Sequence, residues 1–393
     1  MSWEIGKLSD IACIISGYAF KSEWFNNGSD KIIRIGDLQN NRIDSNTVTF
    51  DSKKHNISDQ FKIKENDILM ALSGATVGKI AIAEAKDTES YINQRVAIIR
   101  GNSFESAGYL KYIFSGLLLK NLLTNAGGAA QPNLSTKNLV ELQIPLPPIS
   151  QQKRIAAILD KADEIRRKRE QAIAKLEQLA QSIFVEMFGD PVKNEKNFSS
   201  EQLRNLVKKI QIGPFGSQLH EEDYIEGGIP LINPTHIKSG KIQPDYKLSI
   251  PQIKYDTLQQ YHLEKGDLII GRRGEMGRCA VVTDKENGML CGTGSLFVRL
   301  LQDLITPEYL CQTISSQSMR EHLQNVSQGV TMANLNKDIV GSLKIIVPPL
   351  ALQEEFAKRI NQIEKLKADN TKALANHNAL FASLQQQAFS GNL

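Results

Sequence analysis

No C-x-x-C pair occurs among the four cysteines, Cys13, Cys279, Cys291 and Cys311. That spacing offers neither a zinc ribbon nor a redox dithiol motif, and it predicts buried, reduced thiols. No apolar run reaches membrane-spanning length. The start, Met1-Ser2-Trp3-Glu4, lacks the basic-then-apolar pattern of a signal peptide, so the chain reads as cytoplasmic. Charge of one sign is missing too: 47 basic residues face 43 acidic ones, a net +4. Residues 1–149 hold 16 basic and 15 acidic, 150–188 hold 8 and 6, 189–348 hold 18 and 18, and 349–393 hold 5 and 4. With no basic block anywhere, charge alone does not mark a nucleic-acid binder.

Catalytic patterns are equally scarce. No Gly-x-x-x-x-Gly-Lys-Ser/Thr loop exists. The nearest approach to a Gly-rich cofactor turn, Cys291-Gly-Thr-Gly294, lacks a third glycine and leads into a strand pattern rather than a helix. Asn233-Pro234-Thr235-His236 has the wrong third and fourth residues for an amino-methyltransferase loop and reads as a turn. Pro244-Asp245 finds no acidic-x-Lys partner of the kind nucleases use. The six histidines show no metal-ligand spacing; His220, His262 and His322 read as surface or half-buried residues.

What the chain does have is helix. Between Ile149 and Phe188 there is no Gly or Pro. Apolar residues at Ile155, Leu159, Ala162, Ile165, Ala172, Leu176, Leu179 and Ile183 alternate steps of three and four, with Arg169 in one slot. That is a coiled-coil seam, and it needs a partner. A second seam runs from about Leu352 to Phe389, through Phe356, Ile360, Ile363, Leu366, Ala373, Leu380, Leu384 and Ala388, with Asn370 and His377 in seam slots. Buried polar groups at such slots fix register or partner choice.

The two seams belong to a longer repeat with a period near 200 residues. Lys64 to Gly74 answers Glu264 to Gly274, Gly78-Lys79 answers Gly277-Arg278, and Val96 to Arg100 answers Ser295 to Arg299. Tyr109-Leu110 answers Tyr309-Leu310, Asn133-Leu134 answers Asn334-Leu335, and Pro147-Pro148 with Gln152 answers Pro348-Pro349 with Gln353. The chain therefore reads as domain, helix, domain, helix: 1–149, 150–188, 189–348 and 349–393. The fold class is α+β, with the two helices paired antiparallel about a pseudo-twofold. Strands are predicted at Lys31–Ile35, Asp67–Leu72, Ile80–Ile82, Val96–Ile99 and Leu142–Leu146. Their partners are Pro230–Ile232, Asp267–Ile270, Ala280–Val282, Leu296–Val298 and Leu343–Val347. They form a small curved sheet or barrel. Helical stretches follow at Ala107–Ala126 and Leu304–Val326.

The one repeated feature with chemical reach is a glycine-framed hairpin. Leu72 to Lys79 matches Gly271 to Arg278. Glycine lets a backbone approach closely, and Lys79, Arg272, Arg273 or Arg278 can meet a phosphate or a guanine edge. A plain turn carrying solvated charges is the competing reading. Divergent tips on a shared frame suit two readers of different sequences.

Both halves resemble the specificity subunit of type I restriction–modification systems. The resemblance rests on the Leu146-Pro-Pro148 entry, Gln151 to Ile155, the Phe188-Gly-Asp-Pro191 exit, Val347 to Leu350 with Gln353, and the stretch Gly128 to Leu134. The second copy, Gly329 to Leu335, does not retain Gln131 and Pro132. The resemblance implies a non-catalytic subunit whose two domains each read half of a split, asymmetric DNA target. It implies a helix pair that sets the spacer and docks two methyltransferase subunits, with restriction/translocase subunits joining them. Cofactors are expected on those partners, S-adenosylmethionine, ATP and Mg2+, and none on this chain. DNA-contact candidates are Ser73, Lys79, Arg95, Gln131, Asn133, Arg272, Arg273, Arg278 and Asn334. Candidates for helix pairing or docking are Ile155, Leu159, Ile165, Leu176, Leu179, Ile183, Phe356, Ile360, Ile363, Leu380 and Leu384. Two other readings stay open: the specificity subunit of a type IIB-like bifunctional restriction–methylation enzyme, and a coiled-coil protein-interaction scaffold.

Overall fold

A computed structural model describes residues 3–44, 46–115, 134–327 and 334–393. They divide into two compact units, Met1–Glu170 with Lys372–Leu393, and Gln171–Thr371.

In the first unit the strands are β1 (Ile5–Lys7), β2 (Ala12–Ser16), β3 (Asp30–Ile33), β4 (Leu38–Gln39), β5 (Arg42–Ile43), β6 (Val48–Phe50), β7 (Ile68–Ala71), β8 (Ile80–Ile82), β9 (Tyr91–Ile92), β10 (Val96–Gly101) and β11 (Gln143–Pro145). An antiparallel sheet runs in the order β2-β10-β7-β8, and a second, β6-β3-β9, pairs β3 parallel with β9. β4–β5 and β1–β11 are two-stranded ribbons. The expected small sheet or barrel is thus two sheets and two ribbons. β7, and β10 from Val96 to Ile99, are apolar on every residue because both faces of their sheet are covered. Ile68, Met70, Ala97 and Ile99 pack on Tyr109, Leu110 and Ile113, while Leu69, Ala71, Val96 and Ile98 share a core with Ile33, Leu38 and Ile92. Continuous runs of this kind mark strands buried on both sides.

The second unit repeats the design with β12 (Ser199–Gln202), β13 (Val207–Ile212), β14 (Ile229–Ile232), β15 (Ile237–Lys238), β16 (Lys241–Ile242), β17 (Ser249–Ile250), β18 (Leu268–Gly271), β19 (Cys279–Val281), β20 (Leu290–Cys291), β21 (Ser295–Leu300) and β22 (Lys344–Val347). Its sheets are β13-β21-β18-β19 and β17-β14-β20, with ribbons β15–β16 and β12–β22. Each predicted strand falls on an observed one. The remaining strands were not predicted, among them β2 and β13, the two outer partners of β10 and β21: Cys13 and Ser16 in the one, Lys208 and Gln211 in the other, break the apolar runs.

Short helices fill the remaining ends: α1 (Ser52–His55), α2 (Phe104–Phe114) and α3 (Thr136–Val140) precede the long α4 (Ile149–Phe188). After it come α5 (Gln252–Asp256), α6 (Pro307–Ser315), α7 (Gln317–Ser327), α8 (Lys337–Gly341) and the long α9 (Leu350–Ser390). The stretch expected from Ala107 to Ala126 is helical through Phe114, and residues 116–126 lie outside the described ones. The stretch expected from Leu304 to Val326 is two helices. Ser316 is extended (φ −64°, ψ 151°), and its hydroxyl accepts the Met319 N–H at 3.3 Å, ending α6 and capping α7.

The Pro-Pro-x-x-x-Gln entry has a defined job. Gln152 is buried; its amide donates to the Pro147 carbonyl (3.0 Å), and its oxygen accepts the Ser106 hydroxyl (3.1 Å). Gln353 donates likewise to Pro348 (2.8 Å) and accepts the Thr306 N–H (3.0 Å). Each long helix is thereby bolted to the domain before it. α4 stops at Gly189 (φ 73°), after which the Asp190 carboxylate accepts the N–H groups of Val192 and Lys193.

Each unit contains half of both long helices, and in each the two halves run antiparallel. In the first unit the Arg166 guanidinium donates to Asn378 (2.6 Å) and lies 4.6 Å from the Phe381 ring centre. In the second, Glu177 pairs with Lys367 at 3.4 Å, while Phe184 and Phe188 sit 5.6 and 5.3 Å from Phe356. The seam itself differs from the spacing read off the sequence. Ile155, Leu159, Phe356 and Ile363 are buried, and Leu176, Ile183, Ile360 and Leu384 are partly so. Ile165 (39% exposed), Leu179 (47%), Leu366 (52%) and Leu380 (54%) face outward. Their places are taken one residue later by Arg166, Ala180, Lys367 and Phe381. The cause is competition between neighbours. An aliphatic residue and its successor both fit a three-four alternation, and the long stems of Arg166 and Lys367 cover apolar surface while their charges stay paired.

Candidate nucleic-acid interface

The strand registers gather several loops at one edge of each four-stranded sheet. In the first unit Ser16 pairs with Ala97, Val96 with Ala71, and Met70 with Ile80. The loops leaving β2 and β7 and those entering β10 and β8 therefore share that edge. Backbone bonds tie them: Gly17 N–H to Val96 O (3.1 Å), Leu72 N–H to Arg95 O (2.9 Å) and Leu134 N–H to Leu72 O (2.8 Å). The second unit makes the same three bonds, Gly213 to Ser295 (3.0 Å), Arg272 to Gly294 (3.0 Å) and Leu335 to Arg272 (3.1 Å). Gly17 and Gly213 are required there, since a Cβ on either would stand 2.1 Å from the Asn93 carbonyl oxygen or 2.0 Å from that of Gly292. The hairpin glycines Gly74, Gly78, Gly274 and Gly277 all have φ between 74° and 79°.

Farther down the same sheet a buried ion pair recurs. Arg100 grips Asp67 with two bonds (2.8 and 2.6 Å), and Arg299 grips Asp267 with two (2.9 and 2.9 Å). The aspartates are 2% and 1% exposed. Each carboxylate raises the pKa of its arginine. Such bidentate pairs lock adjacent strands and hold the loops at the far edge in register.

The predicted contact residues fall on this edge in different states. Ser73 and Arg95 line one shallow groove with Leu72, Gly74, Gln94 and Leu134. Lys79 lines a neighbouring groove with Gly36, Gln39, Asn40, Asn41 and Phe114. Lys79 and Arg95 are exposed and have no partner among the described residues, and the Ser73 hydroxyl is buried without one. Gln131 and Asn133 lie outside the described residues. Arg272 is half-buried; its Nε donates to the Leu335 carbonyl (2.7 Å), and burial together with the neighbouring Arg273 lowers its pKa. Arg273 is exposed and unpartnered among the described residues. Arg278 is engaged internally, donating to the Pro234 carbonyl (3.0 Å) and to Glu275 (2.8 Å), which Arg320 also holds (2.8 Å). The Asn334 side-chain amide oxygen is buried and unpartnered among the described residues. The two units thus present one frame with different tips.

Sequence reasoning missed Gln94 and Phe215 at this edge. The run Gly213-Pro-Phe-Gly216, an aromatic framed by glycines, was the available signal. Among the described residues no group of three or more His, Cys, Asp or Glu side chains is placed to hold a metal, and no helix is long and apolar enough to cross a membrane. The thiols are less uniformly buried than expected. Cys279 and Cys291 are buried, but Cys311 is half-buried and Cys13 exposed, because Cys13 lies on an outward position of β2.

A family described as type I restriction modification DNA specificity domain matches residues 1–178 and 209–377. The specificity subunit of the type I restriction enzyme EcoBI from Escherichia coli is 25% identical, over all of this chain and 86% of that one. The EcoKI specificity subunit, from E. coli strain K12, is 23% identical over all of this chain and 89% of its own. Among solved structures, the S subunit of a type I restriction–modification system from M. genitalium superposes with a TM-score of 0.62 at 15% identity, covering 99% of this chain and 96% of that one. A chain from a study of type I complex assembly and conformational transition gives 0.56 at 18% identity, covering 100% and 98%.

Proposed function

Because the chain belongs to the type I restriction–modification DNA specificity family, we propose that each of its two units reads one half of a split, asymmetric DNA target. The observation carrying this reading is the repeated edge: the same backbone bonds in both units, with Ser73, Lys79 and Arg95 on one and Arg272 and Arg273 on the other. Lys79, Arg95 and Arg273, exposed and without a partner among the described residues, are cations on a rigid frame suited to phosphates and guanine edges. α4 and α9 set the spacer between half-sites and present the surface on which two methyltransferase subunits dock. Those subunits bring S-adenosylmethionine, and a translocase–nuclease subunit brings ATP and Mg2+. This chain is the non-catalytic part. Its near-neutral domains neutralise few phosphates, so tight binding requires the methyltransferase subunits to close on the duplex.

The test exchanges residues 199–347 for the corresponding segment of a relative with another specificity, then maps methylated adenines genome-wide. One half-site changes, and the other half-site and the spacer stay as they were. Unchanged methylation sites would refute the reading.

A further inference from the structure

We propose that Phe215 is a specificity-determining residue of the second unit, making apolar contact with a thymine methyl in that unit's half-site. This rests on the DNA-reading function proposed above. Phe215 follows β13 at the same edge as Arg272 and Arg273. Gly213, two residues earlier, bonds to Ser295, and Arg272 bonds to the adjacent Gly294. The two segments therefore flank the start of β21 from either side.

The loop is built to project the ring. Gly213 and Pro214 are buried, and Gly213 is pressed against the Gly292 backbone, leaving no room even for a Cβ. Gly216, just after, takes a left-handed φ of 60°. Between these fixed points Phe215 is 64% exposed and stacks on no other ring among the described residues. Most large aromatics of this protein are used in its cores, where Phe184, Phe188, Phe297 and Phe356 are 1% exposed or less. The first unit does not share the device. Two residues after its equivalent Gly17 stands Ala19, and the nearby Phe20 is folded into a core with Phe50 and Tyr91. An outward ring thus distinguishes the second unit's edge, beside cations that suit a guanine.

The chemistry of that neighbourhood names the ligand. Arginine reads the acceptor edge of guanine in the major groove, and an apolar side chain reads the C5-methyl of thymine in the same groove. Phe215 has no polar atom with which to read a donor or acceptor on a base edge.

The experiment uses the full chain co-expressed with its methyltransferase subunits. Methylated sites are mapped for the wild type, Phe215→Ala and Phe215→Leu, and binding is measured on duplex oligonucleotides carrying the mapped site. Phe215→Ala relaxes one T·A position in the second unit's half-site and weakens binding about tenfold, a common cost of one lost base contact. Phe215→Leu retains part of the preference. Replacing that thymine by uracil, which lacks the methyl, weakens the wild type and leaves Phe215→Ala unaffected. Unchanged site and affinity in Phe215→Ala overturns the assignment, as does a half-site without thymine or a loss spread evenly over both half-sites. A wild-type complex that methylates no bipartite site would instead take down the functional reading and this assignment with it.

Discussion

Replacing Asp267 by Asn should loosen the second unit far more than one lost charge on a surface would. The carboxylate is 1% exposed and accepts three hydrogen bonds, two from Arg299 (2.9 and 2.9 Å) and one from the Glu264 N–H (2.8 Å). An asparagine fills the same space but turns an N–H2 toward the guanidinium, leaving Arg299 without its counter-ion. Breaking a buried pair from one side typically costs 3–5 kcal/mol. Arg299 keeps 23% of its side chain in water and a second, exposed partner in Glu264, so the low end applies, about 3 kcal/mol. Unfolding of a chain with two units is not a single transition, so the readout must be local. Hydrogen exchange of the β18 and β21 amides supplies it. A loss of about 3 kcal/mol speeds their exchange roughly a hundredfold. Adding Arg299→Met to Asp267→Asn should recover part of the loss, because it removes the orphaned cation. Acceleration below about tenfold, or a double variant worse than the single one, would refute the reasoning.

Two further outcomes follow from the helices. Phe381→Ala removes a ring packed near Tyr112 and beneath Arg166, and should cost the first unit about 3–4 kcal/mol, whereas Leu380→Ala, at a 54% exposed site, costs under about 1; hydrogen exchange of the α2 amides accelerating in the reverse order would restore the seam read from the sequence. Glu364 titrates against its surroundings: burial alone would raise its carboxyl, but Lys241 and Lys367 hold it below its ordinary value of 4.5. Its folded pKa is depressed, so the stability it contributes is present above about 4.5 and is lost as pH falls toward the folded value. Acid denaturation of Glu364→Gln should lack that part of the slope, and superimposable curves would exclude it.

Much of the fold was legible because its strands and helices carry strong periodic or continuous apolar patterns. β7, β10, β18 and β21 are buried on both faces, and their runs stand out without any knowledge of partners. β2 and β13 do not, since polar residues interrupt them and only their neighbours make them strands. The seam was readable to within one residue. Choosing between Ile165 and Arg166, or between Leu380 and Phe381, needs the opposing surface, which no spacing rule contains. The edge that gathers the hairpin, Arg95 and Leu134 was found through the repeat. Arg278 shows the limit of that method, since its charge is consumed by Glu275 and Pro234, partners distant or unremarkable in the sequence. Phe215 lies in a turn that the repeat does not match, and only its 64% exposure sets it apart from the core aromatics.

The sharing of α4 and α9 between units has a consequence for synthesis. The first unit's core includes Phe381, Ala388 and Phe389, and the Trp3 indole donates to the Ala388 carbonyl at 2.5 Å. These partners leave the ribosome after every residue of the second unit, which ends at Thr371. The half of the protein made first must therefore wait, with the apolar side of Tyr109 and Ile155 uncovered, until the half made second has been completed.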